Sequence, residues 1–233
     1  MLPSFVSVTV LSNELIGASI RSLKVRSTEA LSYHPGQFFI LRMRDEAGEA
    51  VERSYSAANW TTGEQLRFVI RIETHGHMSG LIDRLQEGDT FDIKGPFGTF
   101  GEVSAETQKL VMIAGGVGIS PIHSMLQHWH EHGQQVPAQL FYGFRSGRDY
   151  LFREELEGYA RQGKLRIFTA VSEADPEWTG AKGYIHELLE GRVFAPEATT
   201  EAYICGPPPM VKAAREQLYE LGFERKMVHV EAW

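Results

Sequence analysis

The sequence predicts a β-rich domain followed by a doubly wound α/β domain, and three observations carry that expectation. Short β-branched and aromatic runs separated by turn residues fill the first hundred positions. From about residue 106 onward, strand and helix patterns alternate, as a mostly parallel sheet with crossover helices requires. At the junction, residues 110–114 (Leu-Val-Met-Ile-Ala) are apolar without alternation, which suits a strand covered on both faces, and they run into the glycines Gly115, Gly116 and Gly118.

In the first domain, residues 1–101, strands are expected over 5–11, 18–25, 38–43, 54–59, 66–72 and 90–94, forming a small barrel or sandwich. Pro35-Gly36, Ala47-Gly48, Thr62-Gly63 and Glu87-Gly88-Asp89 supply the turns between them. One helix interrupts, with Met78, Leu81, Ile82 and Leu85 on one face and Ser79 near its start. In the second domain, residues 106–233, Ser120 is expected to cap a helix with Pro121 at its first position and Ile122, Met125, Leu126 and Trp129 along its apolar face. Strands over 138–144, 165–171, 201–205 and 227–231 then alternate with helices over 150–161, 184–189 and 209–221.

Composition narrows the function. The chain of 233 residues is 42% hydrophobic and 23% charged, as ordinary globular proteins are, and its net charge of -7 argues against nucleic acid or an anionic membrane as partner. With a single cysteine, Cys205, it has no intramolecular disulfide and cannot supply the four thiolates of a plant-type iron-sulfur cluster. No apolar run is of membrane-spanning length and no basic leader opens the chain, so a cytoplasmic protein is expected.

Three stretches have the chemistry of a site. In Arg53-Ser54-Tyr55-Ser56 a guanidinium, a ring and a hydroxyl follow one another along a strand, with Arg53 and Tyr55 on one face, which suits a phosphate and a flat heterocycle. Gly115 to Pro121 reads as strand, glycine loop and helix start, a site for a pyrophosphate. Gly116 and Gly118 begin a G-x-G-x-x-G pattern, but Pro121 stands where the third glycine belongs, so a tight strand-to-helix turn is an equal reading of this loop alone. Cys205-Gly206-Pro207-Pro208-Pro209 fixes the backbone at another strand end, and its lone thiol reads equally as a buried structural cysteine. His128 and His132, four apart on a helix near His123 and His130, read as a hydrated polar face, as do His75 and His77; no metal site is expected.

Four signatures in order resemble the ferredoxin-NADP reductase superfamily, and within it the reductase components of bacterial oxygenases: Arg53-Ser54-Tyr55-Ser56 with Ala57-Ala58-Asn59, Gly76-His77-Met78-Ser79, the Gly115 to Pro121 loop, and Cys205-Gly206-Pro207-Pro208. The resemblance implies a flavin-binding antiparallel β-barrel followed by a nucleotide-binding parallel sheet, with FAD as cofactor and NADH, or NADPH, as hydride donor. It implies that Arg53 pairs with a flavin phosphate, Tyr55 packs on the isoalloxazine and Ser56 bonds its central-ring nitrogen. Gly76, Met78 and Ser79 would open the helix that holds the FAD pyrophosphate; Gly115, Gly116, Gly118 and Pro121 would hold that of the pyridine nucleotide. Cys205, with Gly206 and Pro207, would lie beside the nicotinamide, Glu231 near the reacting rings, and Trp233 over the flavin face.

Glu173, where NADPH-using relatives tend to place Arg after Ser172, favours NADH by repelling a ribose phosphate, although Arg145 and Arg148 on the neighbouring loop could reverse this. Without a cluster domain of its own, the chain is expected to pass electrons to a separate ferredoxin or oxygenase component. The alternative is an NAD(P)H:flavin oxidoreductase, for which free flavin is a substrate.

Overall fold

A computed structural model describes residues 4–61, 63–133 and 136–232. Trp233, and Thr62 of the expected Thr62-Gly63 turn, lie outside the described residues.

The first half forms one antiparallel sheet from β1 (Phe5–Leu15), β2 (Ile20–Ser27), β3 (Phe38–Arg44), β4 (Ala50–Ser56), β5 (Gln65–Arg71) and β6 (Thr90–Phe97), in the order β4-β3-β6-β1-β2-β5. It curls until its edges meet, where the Ala58 amide donates to the Arg67 carbonyl at 2.8 Å and the Arg67 amide to the Asn59 side chain at 2.7 Å. The expectation of a barrel is met. Its filling is the inward set of the alternating strands, including Val8, Val10, Leu23, Val25, Phe39, Leu41, Phe68 and Ile93, all buried. Helix α1 (His77–Asp83) closes one end with Met78 and Ile82 buried. Relative to the sequence reading, the fourth strand starts earlier and ends at Ser56, because 57–59 turn away to make the edge contacts just described.

The second half is a parallel sheet of β7 (Lys109–Gly115), β8 (Ala138–Phe144), β9 (Leu165–Val171), β10 (Ala181–Lys182), β11 (Thr200–Gly206) and β12 (Val228–Ala232), ordered β10-β9-β8-β7-β11-β12. Helices α2 (Ile119–Glu131), α3 (Arg153–Arg161) and α4 (Pro208–Glu220) cover it. The order of strands reverses between β7 and β11, so the crevice at their carboxyl ends is where a doubly wound sheet takes its ligand. The two halves share one apolar cluster: Ile20, Ala58, Val69 and Phe100 of the first pack among Met112, Ile119, Ile122, Leu126 and Tyr203 of the second.

Three local expectations are corrected. Ser120 is not the helix cap: Gly116–Gly118 form a 3₁₀ turn, Gly118 caps α2, and the Ser120 hydroxyl donates to the Val117 carbonyl at 2.9 Å. Pro121 is therefore the third helical residue, still within the first turn where its missing N–H has no helical partner to lose. The segment expected as a helix over 184–189 is a 3₁₀ turn, Ile185–Leu188, and the helix expected over 150–161 begins only at Arg153 because Phe152 adopts a left-handed backbone, φ 55°.

Candidate active site between the two sheets

A cavity of about 1070 Å³ opens between barrel and parallel sheet, large enough for more than one drug-sized ligand. From the barrel it is lined by Arg53, Tyr55 and Ser56 of β4, Arg71 of β5, and Gly76, Met78 and Ser79 at the start of α1. From the sheet come Gly115, Gly116, Val117 and Ser120 after β7, Phe144 and Arg145 after β8, Tyr184 and His186, and Pro207 and Met210 after β11. All four sequence signatures thus reach one space.

On β4, side chains alternate, so Arg53 and Tyr55 fall together. Arg53 donates to the Glu52 carbonyl at 2.7 Å and its side chain remains exposed at the rim. Tyr55 is half-buried against the barrel core, and burial pushes its phenol up to about 12, against the smaller opposing pull of Arg53, so it is a neutral ring surface. Where α1 begins, the Ser79 hydroxyl accepts from the Glu73 amide at 3.1 Å and donates to the Gly76 carbonyl at 3.2 Å, which ties down the approach to the helix. A Cβ on Gly76 would collide with the Ser79 oxygen.

The glycines of the central loop are there for close approach. A Cβ on Gly115 would lie 2.6 Å from the Met210 sulfur, and one on Gly118 would strike the Cys205 carbonyl oxygen. Gly116 takes φ 54°, the left-handed region that glycine favours. Gly118, Pro121, Cys205, Gly206, Glu173 and Glu231 are not on the cavity wall; Gly118 instead packs on the backbone of β11, and a Cβ on Gly206 would meet Gly115.

Beside the cavity the two halves meet at Ser56, Glu231 and Cys205. The Ser56 hydroxyl donates to Glu231 Oε2 at 3.1 Å, and the Cys205 thiol lies 3.8 Å from the same oxygen. Register explains the second contact, because Cys205 of β11 stands opposite Glu231 of β12. Burial pushes the Glu231 carboxyl above the usual carboxylate range, and hydrogen bonds from Ser56 and Cys205 pull it partway back. Burial, then the neighbouring Glu231, hold Cys205 well above an ordinary thiol, so it stays protonated and is no nucleophile.

At the far side, Arg145 Nε lies 3.6 Å from Glu173 Oε1, both side chains being exposed. Arg71, Tyr184 and His186 are among the lining residues that the sequence does not single out. Arg71 reaches across from β5, within 3.5 Å of where a Cβ on Gly116 would stand, and Tyr184 is 61% exposed at the mouth, stacked on His186 at 5.9 Å. Arg71 was legible in principle: Arg67, Val69 and Arg71 alternate on the outer face of β5, but such a row reads as solvated until the second domain is placed against it. Among the described residues no group of three His, Cys, Asp or Glu could hold a metal. The histidine reading holds only in part, because His123 is buried at the domain boundary rather than on a hydrated face.

A barrel whose strand offers cation, ring and hydroxyl, facing a glycine loop at the switch point of a parallel sheet, defines a two-domain oxidoreductase for a flavin and a nucleotide. Residues 7–101 match the oxidoreductase FAD-binding domain and residues 112–216 the oxidoreductase NAD-binding domain. The chain belongs to the ferredoxin-NADP reductase-like flavoprotein oxidoreductases. It is 33% identical over 221 residues to the anthranilate 1,2-dioxygenase electron transfer component of Acinetobacter baylyi, covering 92% of this chain and 63% of that one. Among solved structures, the ferredoxin reductase in carbazole 1,9a-dioxygenase is 27% identical with a TM-score of 0.85, over 99% of this chain and 69% of that one. The cytochrome b5 reductase domain of Ulva prolifera nitrate reductase, 24% identical, shares the fold at a TM-score of 0.86, over 98% and 97% of the two chains. The chain spans roughly three-fifths of the length of most curated relatives it matches. Among the described residues no helix is long and apolar enough to cross a membrane.

Proposed function

We propose that this chain takes hydride from NADH onto bound FAD and passes the electrons to a separate protein acceptor, a ferredoxin or oxygenase component, in the cytoplasm. The observation that carries the reading is the convergence of Ser56 from the barrel with Glu231 and Cys205 from the parallel sheet, beside a cavity lined by both phosphate-type motifs. When bound, FAD supplies acceptance of two electrons together and their release singly.

The residues present fit that group. Arg53, exposed at the rim, pairs with a flavin phosphate, and Tyr55 offers a neutral ring for the isoalloxazine. Gly76, Met78 and Ser79 hold the pyrophosphate with the amides at the start of α1. On the sheet side, Gly115 and Gly116 bring backbone close to the pyridine nucleotide, Gly118 lets the loop pack on β11, and Pro121 stiffens the helix start behind them. Arg71 adds a cation from the barrel, so one residue contacts both halves of the site. Gly206 and Pro207 hold the Cys205 backbone beside the nicotinamide position.

The task of Ser56, Cys205 and Glu231 is placement and water exclusion. The Ser56 hydroxyl donates to Glu231; with a flavin bound it would be the group to bond the central-ring nitrogen, and Glu231, held above the usual carboxylate range by burial, would hold a proton. Glu173 repels a 2′-phosphate, and by pairing with Arg145 it withdraws the cation that would attract one, which favours NADH over NADPH.

The test is a visible spectrum of gel-filtered protein, recorded anaerobically before and after NADH. Retained flavin bands that bleach are expected. Colourless protein that oxidises NADH only with added FMN, FAD or riboflavin would refute the prosthetic-flavin reading in favour of an NAD(P)H:flavin oxidoreductase.

A further inference from the structure

Away from the cavity, a second set of side chains spans the domain boundary. His123 of α2 is 2% exposed. Its Nδ1 lies 2.6 Å from the Ala58 carbonyl of the barrel, and its Nε2 lies 2.8 Å from Glu155 of α3, an ion-pair approach rather than an aligned hydrogen bond. The ring stacks on Phe152 at 3.8 Å and 14°. The Arg67 guanidinium of β5 lies over the same Phe152 ring at 4.6 Å and reaches Glu155 at 3.6 Å.

Two features mark this as more than packing. Phe152 has φ 55°, and among the described residues no other non-glycine residue has positive φ. A bulky residue holds that conformation only where its surroundings over-determine it, and here the strain places its ring between the two domains. Second, both nitrogens of His123 face acceptors. A carbonyl can only accept, and Glu155, held below the usual carboxylate range chiefly by its contact with His123, is acceptor-only as well.

We propose that His123 is a positioning residue that clamps the flavin strand to the nucleotide helix and so sets the distance between the reacting rings; this rests on the reductase reading above. The lever is short. Ala58 is two residues beyond Ser56, and His123 is one helical turn beyond Ile119, where α2 leaves the glycine loop. Helix α2 is continuous from Ile119 to Glu131 and is capped by Gly118, so a shift at His123 is carried to Gly116 to Gly118 relative to Ser56. Facing this ring are Glu155 and Tyr159 from α3 and Arg67 from β5; Glu155 ties the histidine to the arginine.

The test compares the full chain with His123→Asn, which keeps a donor for the Ala58 carbonyl, His123→Leu, which keeps neither contact, and Glu155→Gln, a half-exposed site whose change leaves the core intact. Amide hydrogen exchange on flavin-free protein reads residues 56–58 and 116–119. Loss of the clamp is expected to speed exchange at both segments in His123→Leu and Glu155→Gln, with His123→Asn near wild type at 56–58. On the flavin-loaded protein, rapid mixing with NADH is expected to show flavin reduction slowed about tenfold in His123→Leu. Flavin retention and NADH affinity should stay unchanged, with partial rescue in His123→Asn.

Exchange that rises only around residue 123, or not at all, overturns the clamp. So does a reduction rate unaltered in His123→Leu and Glu155→Gln. A wild type that fails to reduce its flavin refutes the reductase reading instead, and the exchange data then decide the clamp alone.

Discussion

Gly118→Ala tests whether the fit between the glycine loop and β11 sets the reaction geometry. An added Cβ would lie 2.6 Å from both the Cys205 carbonyl carbon and the Gly206 Cα, and still nearer the Cys205 oxygen. All three atoms are backbone of a central strand, hydrogen-bonded to β7 and β12, so none can rotate away as a flexible side chain would. To restore the 3.4 Å of an ordinary contact, loop and strand must part by about 0.8 Å at the two carbon atoms and about 1 Å at the oxygen. A displacement of that order costs on the order of 10²-fold when reacting atoms must sit near 3–3.5 Å. Overpacking adds about 1–3 kcal/mol of destabilisation. Rapid mixing with NADH should therefore show flavin reduction slowed by about 10- to 100-fold, while the flavin content after gel filtration, set by the other domain, equals that of wild type. A folded variant reducing its flavin within about threefold of the wild-type rate would refute the argument.

Arg53→Ala removes one charge-assisted contact of about 1.5–3 kcal/mol and should weaken flavin binding by about 10- to 100-fold, with NADH affinity unchanged; equal flavin retention would contradict the assignment. Glu231→Gln should change the pH dependence of stability. Because folding raises this carboxyl above its reference of 4.5, its stability contribution is complete below that value and is lost as pH rises through the folded value. The variant, fixed neutral, should gain in Tm over wild type as pH increases and converge with it under acid conditions; a constant difference across the range would show that burial does not govern Glu231. Glu173→Gln should raise kcat/KM for NADPH about 10- to 30-fold, since each unit of like charge at about 4 Å costs about 1 kcal/mol in water and a ribose phosphate carries between one and a half and two. An unchanged NADPH/NADH ratio would remove Glu173 from nucleotide choice.

The order of elements was legible because each half repeats one period. Short β-branched and aromatic runs between turn residues in the first half, and the unbroken apolar run at 110–114 ahead of alternating strand and helix patterns in the second, correspond to strands solvated on one face and a strand covered on both. The boundaries that were misplaced follow from contacts between distant residues. Nothing near residue 59 signals that 57–59 must leave β4 to close the barrel on Arg67, and Phe152 gives no local hint of a left-handed backbone whose warrant is a histidine 29 positions earlier. Ser120 was read as a cap from its type and place, but one more 3₁₀ turn, permitted by Gly116, moved the helix start back by two residues.

The site divides along the same line. Its two halves were visible as motifs because each is built from backbone and a few side chains near in sequence, as Arg53-Ser54-Tyr55-Ser56 is on one strand. What joins the halves has no such signature. Ser56 and Glu231 are 175 residues apart, Arg71 belongs to the barrel but lines the loop of the other domain, and His123 sits in what reads as an ordinary polar helix face. Reaction between two stacked rings depends on the distance between domains more than on acid or base strength, so the residues that set this distance are the ones a motif cannot reveal. The protonated thiol of Cys205 agrees with that reasoning: beside a buried carboxyl it can fill space and donate weakly, and its contribution is to shape.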